Sequence, residues 1–171
     1  NSTMRYGPNQ YLNTIDMFGI GKMEVLRGNG SVQYGSDALG GTVQVFTPEL
    51  FTSEKPDWSG VLMTRLASHG MEYTFNGGLN FSGRKAAFRA GITSRCFGDV
   101  MGGRNTGRQH PSGYDEFDFD LKGKVLLSSA TSLTLAGQHV HQGHVPVYHK
   151  VELENYLINE MDPQQRNLAY A

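Results

Sequence analysis

A single cysteine, Cys96, stands in 171 residues, so the chain holds neither an internal disulfide framework nor a multi-cysteine metal centre. No apolar run approaches the roughly 18 residues that a membrane-crossing helix requires. No basic start followed by an apolar stretch marks an export signal either. Neither sign of charge dominates, because 15 Lys and Arg face 16 Asp and Glu. The bulk attraction that nucleic acid would need is therefore missing, and no nucleic-acid partner is expected. No Ser-His-Asp, paired-acid or zinc-helix arrangement stands at a recognisable spacing, so the sequence predicts no enzyme and calls for no cofactor. If this chain enters a membrane, it does so as strands.

What the chain has in quantity is glycine, 22 of 171 residues, with 11% aromatics and 38% hydrophobic residues. About 7% glycine is usual, and glycine mixed with aromatics and short alternating runs points to an all-β-dominated fold. From residue 71 on, Tyr73, Phe75, Gly77, Leu79 and Phe81 fall on one side of a period-two pattern, with Thr74, Asn76, Gly78, Asn80 and Ser82 on the other. The next run sets Ala86, Phe88, Ala90 and Ile92 against Ala87, Arg89, Gly91 and Thr93. A third sets Phe117, Phe119, Leu121, Gly123 and Val125 against Glu116, Asp118, Asp120, Lys122 and Lys124, which puts five charges on one side of a strand. Residues 58–67 and 131–141 alternate less cleanly and suit strands of similar length.

Two architectures fit such alternation. In a soluble antiparallel sandwich the apolar side faces a second sheet, whereas in a membrane barrel it faces lipid. Loop lengths separate them. Residues 82–84 and 128–131 suit tight turns, while 96–113 and 142–164 are long and polar. In an up-and-down meander the short connections gather at one end and the long ones at the other, which is the outer-membrane pattern. The link at 68–70 is short for its end.

The first half carries a more specific signal. Ile20, Gly21, Lys22, Met23, Glu24, Val25, Leu26, Arg27 and Gly28 precede Asn29, Gly30, Ser31, Val32, Gln33, Tyr34, Gly35, Ser36, Asp37, Ala38, Leu39, Gly40 and Gly41. Together they resemble the end of the plug domain of TonB-dependent outer-membrane receptors, where an I-E-x-I-E-V-x-R-G segment leads to Y-G-S-x-A-x-G-G and a strand. Here that strand is Thr42, Val43, Gln44, Val45, Phe46 and Thr47. The stretch from Gly7 to Asp16 also looks like plug sequence. Gly21 and Lys22, Asn29 and Gln44 depart from the family's usual residues without touching its backbone logic. A phosphate-binding loop is excluded because no Lys-Ser or Lys-Thr pair follows the glycines. Gly28, Gly35, Gly40 and Gly41 are instead expected at turn and close-packing positions.

The resemblance implies residues 1–47 as the C-terminal part of an α+β plug domain, 48–57 as a linker, and 58–171 as the N-terminal strands of a partial transmembrane antiparallel β-barrel. Because the chain starts at Asn1 and stops within a strand-like run, it reads as a fragment. The implied activity is energised uptake of a small-molecule ligand (a siderophore, cobalamin, an oligosaccharide or similar) across the bacterial outer membrane. The implied partners are TonB with its inner-membrane energising complex, met through a box upstream of Asn1, together with outer-membrane lipid and the ligand. The resemblance places Arg27 against barrel carboxylates, with Glu24 sharing its polar side, and sets Arg5, Tyr6, Asn9, Gln10 and Tyr11 at the ligand-facing apex. Glu116, Asp118, Asp120, Lys122 and Lys124 would line the lumen. His139 and His141 project to one side of a strand, with His144 and His149 nearby, and are weak metal candidates. The alternatives are a soluble all-β ligand-binding module and a passive porin-like channel. The orientation of Phe75, Phe88 and Phe119 discriminates the soluble module.

Overall fold

The structure is a computed structural model that describes residues 14–28, 40–148, 160–161 and 163–171. The chain divides into two compact units, one of residues 19–49 and the other of residues 1–18 with 50–171.

The smaller unit is a hairpin of β1 (Lys22–Arg27) and β2 (Gly41–Phe46), antiparallel from Lys22↔Phe46 to Arg27↔Gly41. Val25 faces Val43 and Met23 faces Val45, so β-branched and long apolar side chains meet across the ladder. The Gly21 amide donates to the Phe46 carbonyl at 2.8 Å and closes the open end. Gly41 holds φ +148°, and a Cβ there would lie 2.8 Å from the Leu26 carbonyl oxygen. Only glycine fits that approach.

The larger unit runs through β3 (Asp57–Ala67), β4 (Glu72–Ser82), β5 (Ala86–Phe97), β6 (Val100–Met101), β7 (Arg108–Gln109), β8 (Tyr114–Leu126), β9 (Ser132–Gly143), β10 (Val145–Pro146), β11 (Glu160–Met161) and β12 (Gln164–Tyr170). Six of these form one antiparallel sheet in the order β12-β9-β8-β5-β4-β3, an up-and-down meander. β6 pairs β7 and β10 pairs β11 as small hairpins within the long connections. The tight turns lie at one end, where Gly83 donates to Ala86 O at 2.8 Å and Leu127 to Thr131 O at 2.9 Å. At the other end lie the two long connections and a 3-10 turn at Ser68–Gly70, in which His69 takes φ 60°.

Burial in this sheet is inverted relative to a water-soluble protein. Phe75 and Phe119 are 45% and 43% exposed, while Thr93 and Asp118 on the neighbouring positions are 0% and 1% exposed. Tyr73, Leu79, Ile92, Phe117 and Leu121 share the exposed side. Among the described residues of the larger unit the other sheets are only the two short hairpins, so that unit does not form the sandwich expected of a soluble module. Phe81, Phe88 and Trp58 cluster on the exposed side in tilted and T-shaped pairs, with ring centroids 4.8 to 5.5 Å apart. Among the described residues no helix is long and apolar enough to cross a membrane.

Gly41→Ala is expected to strain the hairpin by about 1 to 3 kcal/mol, because a methyl group must displace the Leu26 carbonyl at a φ that side chains rarely adopt. Amide exchange of Val25 and Val43, paired opposite one another, is the measurement. Exchange in the variant as slow as in the parent would show that the hairpin absorbs the group.

Candidate functional site

Register assembles the buried polar face in rows. Thr74, Arg95, Glu116 and Gln142 lie opposite one another across β4, β5, β8 and β9, and the next inward row is Asn76, Thr93, Asp118 and Val140. Two residues further along come Gly78, Gly91, Asp120 and Gln138, then Asn80, Arg89, Lys122 and Ala136. Arg95 and Glu116 sit directly opposite as unlike charges, the arrangement that stabilises a sheet pair, whereas Arg89 stands opposite Lys122 and reaches Asp120 on the diagonal.

Arg95 is the centre. Its Nη1 donates to Glu116 Oε1 and Asp118 Oδ2, and its Nη2 donates to Asp16 Oδ1. Thr93 Oγ1 donates to Asp16 Oδ2 at 2.8 Å and accepts from Asn76 Nδ2 at 2.9 Å. Gln142, fully buried, donates to the second Glu116 oxygen. The Arg95 guanidinium also lies 5.3 Å over the Phe18 ring, within cation-π range.

Residues 14–18 lie on this face through further arginine contacts. Arg89 Nη2 donates to Phe18 O at 3.2 Å, and Arg166 Nη1 donates to Thr14 O at 3.3 Å. Asp16 Oδ1 accepts the Phe18 amide at 3.0 Å, which fixes the short turn that presents its carboxylate. Arg89 Nε is 3.5 Å from Asp120 Oδ2. A Cβ at Gly91 would lie 2.2 Å from Asp120 Oδ1, so glycine at this position leaves room for that carboxylate. The described part of the face thus carries both cations and anions, with one further carboxylate, that of Asp16, supplied from far upstream.

The long 98–113 connection is organised by Asp99. Its Oδ1 accepts the amides of Ser112 at 2.9 Å and Gly113 at 3.2 Å, and its Oδ2 meets His110 Nδ1 at 2.9 Å. Ser112 Oγ donates to Gln109 O at 2.6 Å and accepts the Val100 amide at 2.8 Å, tying both strands of the β6–β7 hairpin to the loop. Burial pushes the Asp99 carboxyl up, but the Ser112 amide, the His110 ring and the Gly113 amide outweigh it and hold the group below its ordinary value.

The residues singled out from sequence fall in several places. Glu116, Asp118, Asp120, Lys122 and Lys124 all take the inward side, and the first two meet Asp16 through Arg95. Glu24 pairs with Lys22 on the exposed hairpin, and Arg27 ends β1 opposite Gly41, also exposed. Gly28 takes φ +102°, and Gly40 has open space where a Cβ would stand. Arg5, Tyr6, Asn9, Gln10, Tyr11, Gly35 and His149 lie outside the described residues. His139 and His141 pair with Phe119 and Phe117 and so project to the apolar side, with parallel rings 6.5 Å apart and Nδ1 of His139 2.7 Å from Asn167 Oδ1. His144 lies 3.5 Å from Glu160. No group of three or more metal-ligating side chains occurs among the described residues. Arg95 was within reach of the sequence pattern, since extending Arg89, Gly91 and Thr93 by one period arrives at it. Nothing local marked Asp16 as its partner.

The sheet thus buries charges on one side, presents aromatics on the other and receives residues 14–18 on its polar side. Residues 1–42, about a quarter of the chain, match the family model described as TonB-dependent Receptor Plug Domain, so this stretch is similar to the plug of TonB-dependent receptors. That family is one of outer-membrane transport, in which TonB and a transported ligand are the general partners, and it is not enzymatic. No curated protein and no solved structure matches the chain significantly. The match includes Asp16, Phe18 and Thr14, so what Arg89, Arg95 and Arg166 hold is plug-family sequence.

Because the folded-state pKa of Asp99 is depressed, its contribution to loop order is complete above the unfolded value of about 3.9 and is lost as pH falls through the folded value. Protection of the Ser112 and Gly113 amides, corrected for intrinsic exchange, is expected to hold from neutral pH down to about pH 5 and to fall below about pH 4. Asp99→Asn should remove this pH dependence. Protection in the parent that persists unchanged through pH 2 would assign the loop's order to other contacts.

Proposed function

We propose that this chain is part of a transporter that imports a scarce small-molecule ligand (a siderophore, cobalamin, an oligosaccharide or similar) across the bacterial outer membrane, driven through TonB by the inner-membrane energising complex. In this reading residues 58–171 are barrel wall, 48–57 the linker and 1–47 the C-terminal part of the plug. The observation that carries it is the inverted sheet with plug-family residues bonded to its charged side. Strands of 11 to 13 residues in β3, β4, β5, β8 and β9 support it too. At about 3.3 Å per residue and a tilt near 40°, such strands rise about 28 to 33 Å, enough for a hydrocarbon layer of about 30 Å. A passive porin accounts for the wall but not for the plug-family match, and a soluble module leaves Phe75 and Phe119 facing water.

On the family resemblance, Arg27 is proposed to engage barrel carboxylates, with Glu24 on the same polar side at the plug-barrel contact, and Arg5, Tyr6, Asn9, Gln10 and Tyr11 to meet the ligand at the apex. Arg27→Ala in the intact receptor is expected to raise passive entry of a small hydrophilic antibiotic severalfold. Entry equal to that of the parent would remove Arg27 from the role.

The reading is tested by expressing the intact receptor, separating membranes, and comparing electrophoretic mobility with and without boiling. An outer-membrane protein that migrates faster unboiled, and that supports TonB-dependent growth on one ligand of a panel of iron chelates, cobalamin and oligosaccharides, would support it. Recovery in a soluble fraction would end it. Within the wall, Leu121→Arg should cost about 2 to 4 kcal/mol in folding into vesicles, because Leu121 lies midway along β8 on the apolar side. Gln138→Arg, inward and opposite Asp120, should cost far less. Equal costs would mean that the outer side does not face lipid.

A further inference from the structure

We propose that Arg95 is a shared clamp, in which the wall carboxylates Glu116 and Asp118 make the grip on residues 14–18 releasable rather than tighter. This rests on the transporter reading above and concerns how the plug segment leaves the wall.

One guanidinium serves three carboxylates. Nη1 is given to Glu116 and Asp118 on the adjacent strand, and Nη2 to Asp16. When Asp16 departs, Arg95 keeps its bonds to Glu116 and Asp118, so no buried cation is stranded on the wall. Stranding such a charge is the dominant penalty in breaking a buried ion pair. The wall is also oversupplied with acceptors, because Asp118, 1% exposed, has one buried oxygen, Oδ1, without a hydrogen-bond partner. The Glu116 carboxylate repels that of Asp16, and Asp118 shares the guanidinium with it, which offsets part of the attraction that Arg95 exerts on Asp16.

Three further ties of the segment have the same character. Arg89 and Arg166 reach it through the carbonyls of Phe18 and Thr14, and Thr93 through its hydroxyl. Water replaces a bond to a neutral carbonyl or hydroxyl without leaving an uncompensated charge. Arg89 meanwhile keeps Asp120 and Asn80 on its own sheet. Removing the wall carboxylates would convert the shared clamp into an exclusive Arg95 to Asp16 pair. That change should tighten the segment's attachment, the opposite of what a merely structural cluster would show.

The test uses the intact receptor in outer membranes with Cys96→Ser and a reporter thiol at Ile15→Cys, read as the rate of labelling by a charged maleimide. That rate follows the population of the locally opened state. Asp16→Asn is expected to speed labelling by about tenfold, and Glu116→Gln with Asp118→Asn to slow it by about tenfold. If the double variant does not assemble, Asp118→Asn alone should slow labelling to a smaller degree. Wall variants that speed labelling, or leave it unchanged, would overturn the clamp. Each sample is also run boiled and unboiled. Faster unboiled mobility with labelling in the wrong direction removes the clamp alone, whereas failure of the parent itself to behave as an outer-membrane barrel removes the transporter reading and the clamp with it.

Discussion

Register is the constraint on which the rest of the larger unit depends. In a strand the side-chain period is two, so sliding β8 by one residue against β5 would carry Glu116, Asp118 and Asp120 to the side occupied by Phe75 and Ile92, and would bring Phe117 and Phe119 against Arg95. Every residue of the charged rows would lose its partner at once. The observed pairing puts Arg95 opposite Glu116 and Thr93 opposite Asp118, and the same phase continues to Gln142 on β9. Tight turns at residues 83–85 and 127–131 hold that phase between neighbouring strands, while the long connections at the other end leave it to side-chain pairing.

Once the phase is fixed, the polar side becomes a buried electrostatic surface with its own demands. Charges taken out of water must be paired and hydrogen-bonded, or they cost several kcal/mol each. Arg95 meets that demand for Glu116 and for one oxygen of Asp118, Gln142 satisfies the second oxygen of Glu116, and Asn76 passes a hydrogen bond through Thr93 to Asp16. The upstream segment is thus received by groups that the sheet already holds in position. Its aromatic, Phe18, lies under the Arg95 guanidinium, so the same cation is used edge-on by carboxylates and face-on by a ring.

Much of this was legible before any coordinates, and the reason is the short range of the information. Alternation from Tyr73 to Ser82 and from Glu116 to Val125 depends only on neighbours two apart, and it places every one of those side chains on the side where it is found. The six-stranded meander follows from the same pattern with the turn lengths. The plug resemblance around Arg27 and Gly41 is equally local. The contact between Asp16 and Arg95 is not, because it joins positions 79 residues apart, and nothing near Asp16 distinguishes it from an ordinary loop aspartate. His139 and His141 show the converse difficulty. Their spacing correctly puts them on one side, but which side follows only from the pairing with Phe119 and Phe117.

An inverted sheet poses a question of solvent. Leu62, Leu66, Phe75, Phe117, Phe119 and Leu121 all stand more than two fifths exposed, and contiguous apolar surface of that extent is uncommon on proteins that live in water. Meanwhile the opposite side spends its burial on Thr93, Asp118 and Gln142, which return little hydrophobic free energy. Such a sheet gains stability only when the medium outside is less polar than the space inside. In the proposed reading a bilayer supplies the first, and residues 14–18 with the Asp16 carboxylate supply the second. The two halves of the reading therefore support each other: lipid outside makes the aromatic side economical, and plug-family residues inside give the charged side something to hold.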